Sequence, residues 1–235
     1  MIKVSGTMSI SGKLWKLLNQ IKPVLKRLLP RSVRRFGRQT LIRRTTEQIS
    51  QIQIEPWVRD DYPEGINLIG PIDCATGLGQ SFRLLVDVID ELGIPYIIYN
   101  FEQYTENHID VIRYRDRIQE ELKYGINLWH VNPSEFAEAY ATVGKGVFDR
   151  HYNIAFWLWE LEEFPDEWCP YIHLLNEIWT PSEFISNAIR KKSCCPVYTV
   201  PYHVTAQANT KRFGRKYFGL PEDKFLFLMM YDALS

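Results

Sequence analysis

Two periods of hydrophobicity alternate along this chain. Leu84, Leu85, Val88, Ile89 and Leu92 recur at helical spacing, and Gly93 stops the pattern, which predicts a helix over Gln80–Leu92. Short β-rich runs predict strands at Ile66–Ile69, Pro95–Phe101, Ile126–Asn132, from Tyr152, from Glu177 and over Pro196–Val204. Residues 134–142 read as helix. A further helix follows Ser182, whose hydroxyl sits at an N-cap position, with Ile185, Ala188 and Ile189 as its inner face. The charged, weakly periodic stretch 102–124 reads as loop plus a surface helix, and Thr205–Lys211 as a polar connector. Strands alternating with helices predict an α/β protein: a Rossmann-like parallel sheet with helices on both faces. A last apolar run, Phe225–Tyr231, predicts one more strand, the first of a further domain.

Charge divides the chain. Residues 1–46 hold 12 of the 28 Lys and Arg and no Asp or Glu, which leaves 16 basic against 28 acidic residues in the remainder. An acidic body argues against nucleic acid as a partner. In the basic head, Leu14, Leu17, Leu18, Ile21, Leu25 and Leu28 fall near one helical face beside Trp15, with Pro23 as a kink and Pro30 as a stop. This is the pattern of a helical arm that lies on an anionic membrane surface, with a helix docked on its own protein or a mobile arm as the plain alternatives. Arg31–Arg44 reads as basic linker. The expected divisions are therefore 1–46 arm and linker, 47–211 Rossmann-like domain, and 212–235 the start of a second domain. No run reaches the roughly 18 apolar residues of a spanning helix, so the expected location is the cytoplasm, peripheral at the inner membrane surface. The four cysteines, Cys74, Cys169, Cys194 and Cys195, form no C-x-x-C pair. No histidine stands at ligand spacing from them, so no metal site is expected.

Two stretches carry candidate chemistry. The first is the turn Gly77-Leu78-Gly79-Gln80 between a strand and a helix. Such a turn offers unpaired N–H groups and the positive end of a helix dipole to a phosphate. Phe82 occupies the place of a third glycine, and no Gly-Lys-Ser/Thr follows, which excludes a P-loop. A dinucleotide-binding reading would use Glu102, 23 residues after Gly79, as its ribose acid. A purely structural turn is the plain alternative. The second stretch is "FWLWELEEFPDEW", where carboxylates alternate with aromatic rings. Trp159 and Glu160 are its candidate site residues: a ring for a sugar's C–H face, and a carboxylate for its hydroxyls. Trp157 and Phe164 read as core. Glu160 with Asp166 also allows a hydrolase's carboxylate pair. His130, ending the strand "INLWH", is a candidate ligand contact.

Taken in order, "INLIGPIDCATGLGQSFRLLVDVIDELGIP", "NLWHVNPSEF", "RHYNIAFWLWELEEFPDEW" and "EIWTPSEFISNAI" resemble the N-terminal half of glycosyltransferase family 4 proteins, closest to bacterial members that build surface polysaccharides. "VYTVPYHV" and "FGLPEDKFLFLMMYDALS" resemble the crossing into their second domain. The resemblance implies half of a GT-B arrangement, with acceptor bound on this side and a nucleotide-sugar held mainly by a C-terminal domain absent from this sequence. It implies retention of anomeric configuration and no cofactor. By the resemblance, Gly77, Leu78, Gly79 and Gln80 would approach the donor diphosphate; on the reading of the residues themselves, His130 and Trp159 would contact substrate and Glu160 would be catalytic. The acceptor would be a glycan or a lipid-linked glycan. Tyr202-His203 departs from the residues many relatives carry after Val-Pro. The alternative reading is a non-catalytic binding or interaction module of the same fold.

Overall fold

The computed structural model describes the backbone of residues 2–3 and residues 30–101, 108–204 and 213–229 in full. They form two compact units, divided between His203 and Val204.

Six parallel strands make the sheet of the first unit: β1 (Ile66–Gly70), β2 (Tyr96–Asn100), β3 (Ile126–Trp129), β4 (Tyr152–Phe156), β5 (Glu177–Thr180) and β6 (Val197–Thr199). Their spatial order is β2-β1-β3-β4-β5-β6. The chain therefore runs outward from β1 to β2, then crosses back to β3 on the other side of β1. Among the described residues, five helices accompany the sheet: α1 (Arg31–Ile49), α2 (Gly77–Glu91), α3 (Pro133–Val143), α4 (Cys169–Ile172) and α5 (Glu183–Arg190). A two-residue strand at Ile2–Lys3 pairs antiparallel with Glu121–Leu122.

Alternation along each strand sends side chains to two separate cores. Leu68, Ile98, Leu128 and Ile154 face α2, where Phe82, Val86 and Ile89 pack on them. Ile69, Ile97, Trp129, Ala155 and Ile178 face the opposite way, onto Ile49 of α1, Phe136 and Tyr140 of α3, Tyr171 of α4 and Ile185 of α5. Both faces are thus buried, as a parallel sheet requires. Trp157 and Phe164 lie fully buried in the second core, stacked 5.7 Å apart.

The second position of β1, β3 and β4 is asparagine in each case: Asn67, Asn127 and Asn153, aligned by register. All three are buried. The Asn67 amide donates to Asn127 Oδ1 at 2.8 Å, and the Asn127 amide to Asn153 Oδ1 at 3.0 Å. Each amide also donates to loop carbonyls, of Tyr124, Val147 and Phe148 respectively. Asn67 Oδ1 accepts from the N–H groups of Lys123 and Tyr124. A polar ladder inside an apolar face is stable because its donors and acceptors are matched within it.

Two segments differ from expectation. Arg31–Arg44 is not linker but the greater part of α1, whose buried residues Leu41, Thr45 and Ile49 recur every four positions. That stripe is one residue wide and lies among six arginines, so apolar periodicity is faint while tertiary contact is real. Thr46 Oγ1 lies 2.8 Å from the Tyr171 hydroxyl, and Arg38 pairs with Glu138 at 3.4 Å. In the second unit, Phe225–Met229 forms no strand, and Phe225, Phe227, Leu228 and Met229 are exposed. β propensity alone makes no strand without a neighbour to complete its hydrogen bonds. What this unit does contain is a 3₁₀ turn at Arg215–Phe218 with Phe213, Tyr217 and Phe218 in mutual ring contact. The helical stretch expected at Leu14–Leu28, the acid Glu102 and the connector Thr205–Lys211 lie outside the described residues.

Candidate functional site at the carboxyl edge of the sheet

In open α/β sheets ligands bind beyond the carboxyl ends of the strands, where strand order reverses. Here that point lies between β1 and β3. The turn after β1 carries Gly77-Leu78-Gly79-Gln80, and the turn after β3 begins at His130. The structure brings these two predicted elements together. Ser81, one residue past the glycine turn, lies with Oγ 2.7 Å from His130 Nε2.

The turn is a capped helix start. Thr76 is the N-cap: its Oγ1 accepts from the Gly79 N–H at 3.2 Å, and its carbonyl accepts from Gln80 N–H at 2.9 Å. The N–H groups of Gly77 and Leu78, first in the helix, have no acceptor within it by geometry. The two glycines have different reasons to be glycine. At Gly79 a Cβ would overlap the Cys74 carbonyl oxygen, so this glycine lets the turn close on itself. At Gly77 a Cβ would meet nothing within 4 Å, and the residue is exposed. Gly77 is therefore the open face of the turn, and Gly79 its inner packing. Arg83, half-buried below, donates to the carbonyls of Ile72 and Cys74 at 2.9 Å each and to Gln80 Oε1 at 3.1 Å. Burial lowers its pKa from the ordinary arginine value. Gln80 is exposed and tied to this guanidinium.

His130 is fully buried. Its ring stacks on Phe156 at 5.1 Å and tilts against Phe82 at 5.4 Å, and Phe156 stacks in turn on Tyr202 at 5.8 Å. Gly70, ending β1, makes room: a Cβ there would press on His130 and Phe82 at 3.1 Å. Ser81 Oγ donates to the Tyr202 hydroxyl at 3.0 Å. A serine has one proton, and given to Tyr202 it leaves His130 Nε2 as donor and Nδ1 as the bare nitrogen. Nδ1 has no hydrogen-bond partner among the described residues. Burial pushes the pKa of His130 down to about 3, so the imidazole is neutral. Burial likewise raises that of Tyr202, with Ser81 opposing.

The turn after β4 joins the same edge. Leu158 N–H donates to Asn132 Oδ1 at 3.2 Å, which ties it to the turn after β3. Trp159 is half-buried, edge-on to Trp168 at 4.8 Å, and its Nε1 donates to the Glu163 carbonyl at 2.8 Å. These contacts give it a packing role in the loop. Glu160 follows, exposed to solvent. Asp166 is engaged by Lys192 at 2.5 Å.

Ser81, Phe156 and Tyr202 were not expected at this site. Ser81 is adjacent to the glycine motif, and Tyr202 stands where the resemblance breaks. Their meeting depends on β1, β4 and the end of β6 converging, and no local pattern encodes that.

The fold and this edge define a class: a Rossmann-like α/β domain with a capped, open helix start at its switch point. Compared with models of protein families and with curated protein sequences, the chain matches none.

Proposed function

We propose that this chain is the acceptor-side part of a retaining glycosyltransferase that moves a hexose from a nucleotide-sugar to a glycan or lipid-linked glycan. The observation that carries the reading is the start of α2 at Gly77 and Leu78, whose N–H groups have no acceptor within the helix, beside the strand-order reversal. Two N–H groups and a helix dipole there would offset charge growing on a departing diphosphate. The neutral His130 network lies just beneath and supports Ser81, so the turn is held before ligand arrives. Glu160, on the adjoining turn, is exposed and suits contact with an acceptor hydroxyl. The basic head, residues 1–46, suits an anionic membrane surface on which a lipid-linked acceptor is carried.

The resemblance assigns the main grip on the nucleotide to a second domain, so the test reads binding rather than turnover. Addition of UDP, GDP or ADP should shift the amide resonances of Gly77, Leu78 and Ser81, and Gly77→Asp should remove those shifts without unfolding the chain. Shifts centred elsewhere, or seen with NAD and not with nucleoside diphosphates, would assign the site to another ligand. For the head, the full chain should sediment with anionic vesicles and be released as salt screens the attraction. A chain shortened to begin at Pro30 loses the apolar face with Trp15 and six of the twelve basic residues, so it should sediment more weakly and be released at lower salt. The cut must spare α1, because beginning at Glu47 would remove the buried Leu41 and Thr45. Equal partition of the two chains would leave the head a role within the protein.

A further inference from the structure

The turn between β1 and α2 holds a second constellation, which the glycosyltransferase reading does not use. Asp73 and Cys74 lead into the glycine turn, and His108 comes from the segment after β2, 34 residues further on. Cys74 and His108 form an antiparallel backbone bridge, and Ile109 N–H donates to the Asp73 carbonyl at 2.8 Å. The backbone thus holds the two segments together independently of the side chains. Asp73 Oδ2 lies 3.1 Å from His108 Nδ1, and Asp73 Oδ1 lies 4.0 Å from Cys74 Sγ. The carboxylate, thiol and imidazole ligand atoms all fall within 4.8 Å of one another. Cys74 is buried, while Asp73 and His108 reach solvent, with side chains 20% and 47% exposed.

We propose that Asp73, Cys74 and His108 form a binding site for a zinc-class divalent transition metal. Sulfur, nitrogen and oxygen at ordinary zinc bond lengths stand about 3.3–3.7 Å apart around a tetrahedral ion. Asp73 and His108 are near that spacing, and a contraction of about 1 Å brings in the thiolate, within reach of a rotation of the half-exposed His108. Thiolate with imidazole selects zinc or cobalt over magnesium or calcium. Binding releases the Cys74 proton to water and leaves a fourth position for water. The site sits behind the turn. The Cys74 carbonyl packs against Gly79 and accepts from Arg83, so a bound metal would hold the strand-to-helix connection in place. The inference does not depend on what binds at Gly77.

Cobalt(II) added to the reduced full chain is the probe. One equivalent should give tetrahedral visible bands and a thiolate-to-cobalt charge-transfer band. Cys74→Ser should abolish the charge-transfer band. His108→Ala and Asp73→Asn, at solvent-reaching positions, should each weaken binding at least about tenfold. Cys194→Ser is the control, because Cys194 Sγ lies 4.0 Å from His173 Nδ1 on another part of the surface. Absence of a charge-transfer band would overturn the proposal, as would its survival in Cys74→Ser. Its loss in Cys194→Ser would place the metal elsewhere.

Discussion

Glycines two residues apart in one turn should respond differently to the same added methyl group. Gly79→Ala forces its Cβ into the Cys74 carbonyl, which is backbone and cannot swing aside. Overpacking of this kind costs roughly 1–3 kcal/mol. Gly77→Ala meets open space at a backbone angle any residue adopts, and should be neutral or stabilising by about 0.4–1 kcal/mol. Urea unfolding of both variants checks the assignment, and equal losses would contradict the division into an inner and an open glycine. The motif was legible as residues Gly77 to Gln80. Which glycine packs and which faces solvent was not, because that depends on where the Cys74 carbonyl lies.

Among the elements, the asparagine ladder is the least expected from hydrophobic patterning. Three strands repeat one motif, "IN" or "YN" at their first two positions, and only parallel in-register pairing turns the repeat into a chain of amides. Asn127 is its centre. Asn127→Ala leaves one proton of the Asn67 amide and the Val147 carbonyl without their partner in an apolar face, and unsatisfied buried groups cost about 1–3 kcal/mol each. The expected loss is about 3 kcal/mol or more, read as a lowered urea midpoint with the denaturant slope unchanged. A loss under about 1 kcal/mol would mean that water replaces the amide. Helix α1 makes the converse point. Its stripe of Leu41, Thr45 and Ile49 was too thin to read among the arginines, yet it closes one face of the sheet against α3 and α4.

For the whole molecule, buried neutral histidines set a pH dependence. The unfolded chain protonates His130 near its ordinary value of 6.5, whereas the folded chain resists protonation to about 3. Between those values the unfolded state binds more protons, so stability falls as pH falls. His151, also buried, is lowered by desolvation and adds in the same direction. Each contributes up to about 1.4 kcal/mol per pH unit at full slope. Glu135, raised by burial, titrates toward the same range with the opposite sign, so the share of His130 is read as the difference in slope between the parent chain and its His130→Gln variant over about pH 7 to pH 5. His130→Gln should reduce the slope, and an unchanged slope would show that His130 charges freely in the native state. Among the described residues no helix is long and apolar enough to cross a membrane.

The sequence by itself determined the order and kind of most elements, because burial on two faces writes continuous β-rich runs for strands and a 3.6-residue period for α2. It also marked the glycine turn and His130 as the residues to watch. The tertiary structure alone decided three things: that His130 meets Ser81 and Tyr202, that Asp73 and Cys74 meet His108, and that Trp159 spends its indole on its own loop. Each is a contact between residues distant in the chain or folded back by a turn. Periodicity records which face a residue turns inward, but it does not record which residue arrives opposite.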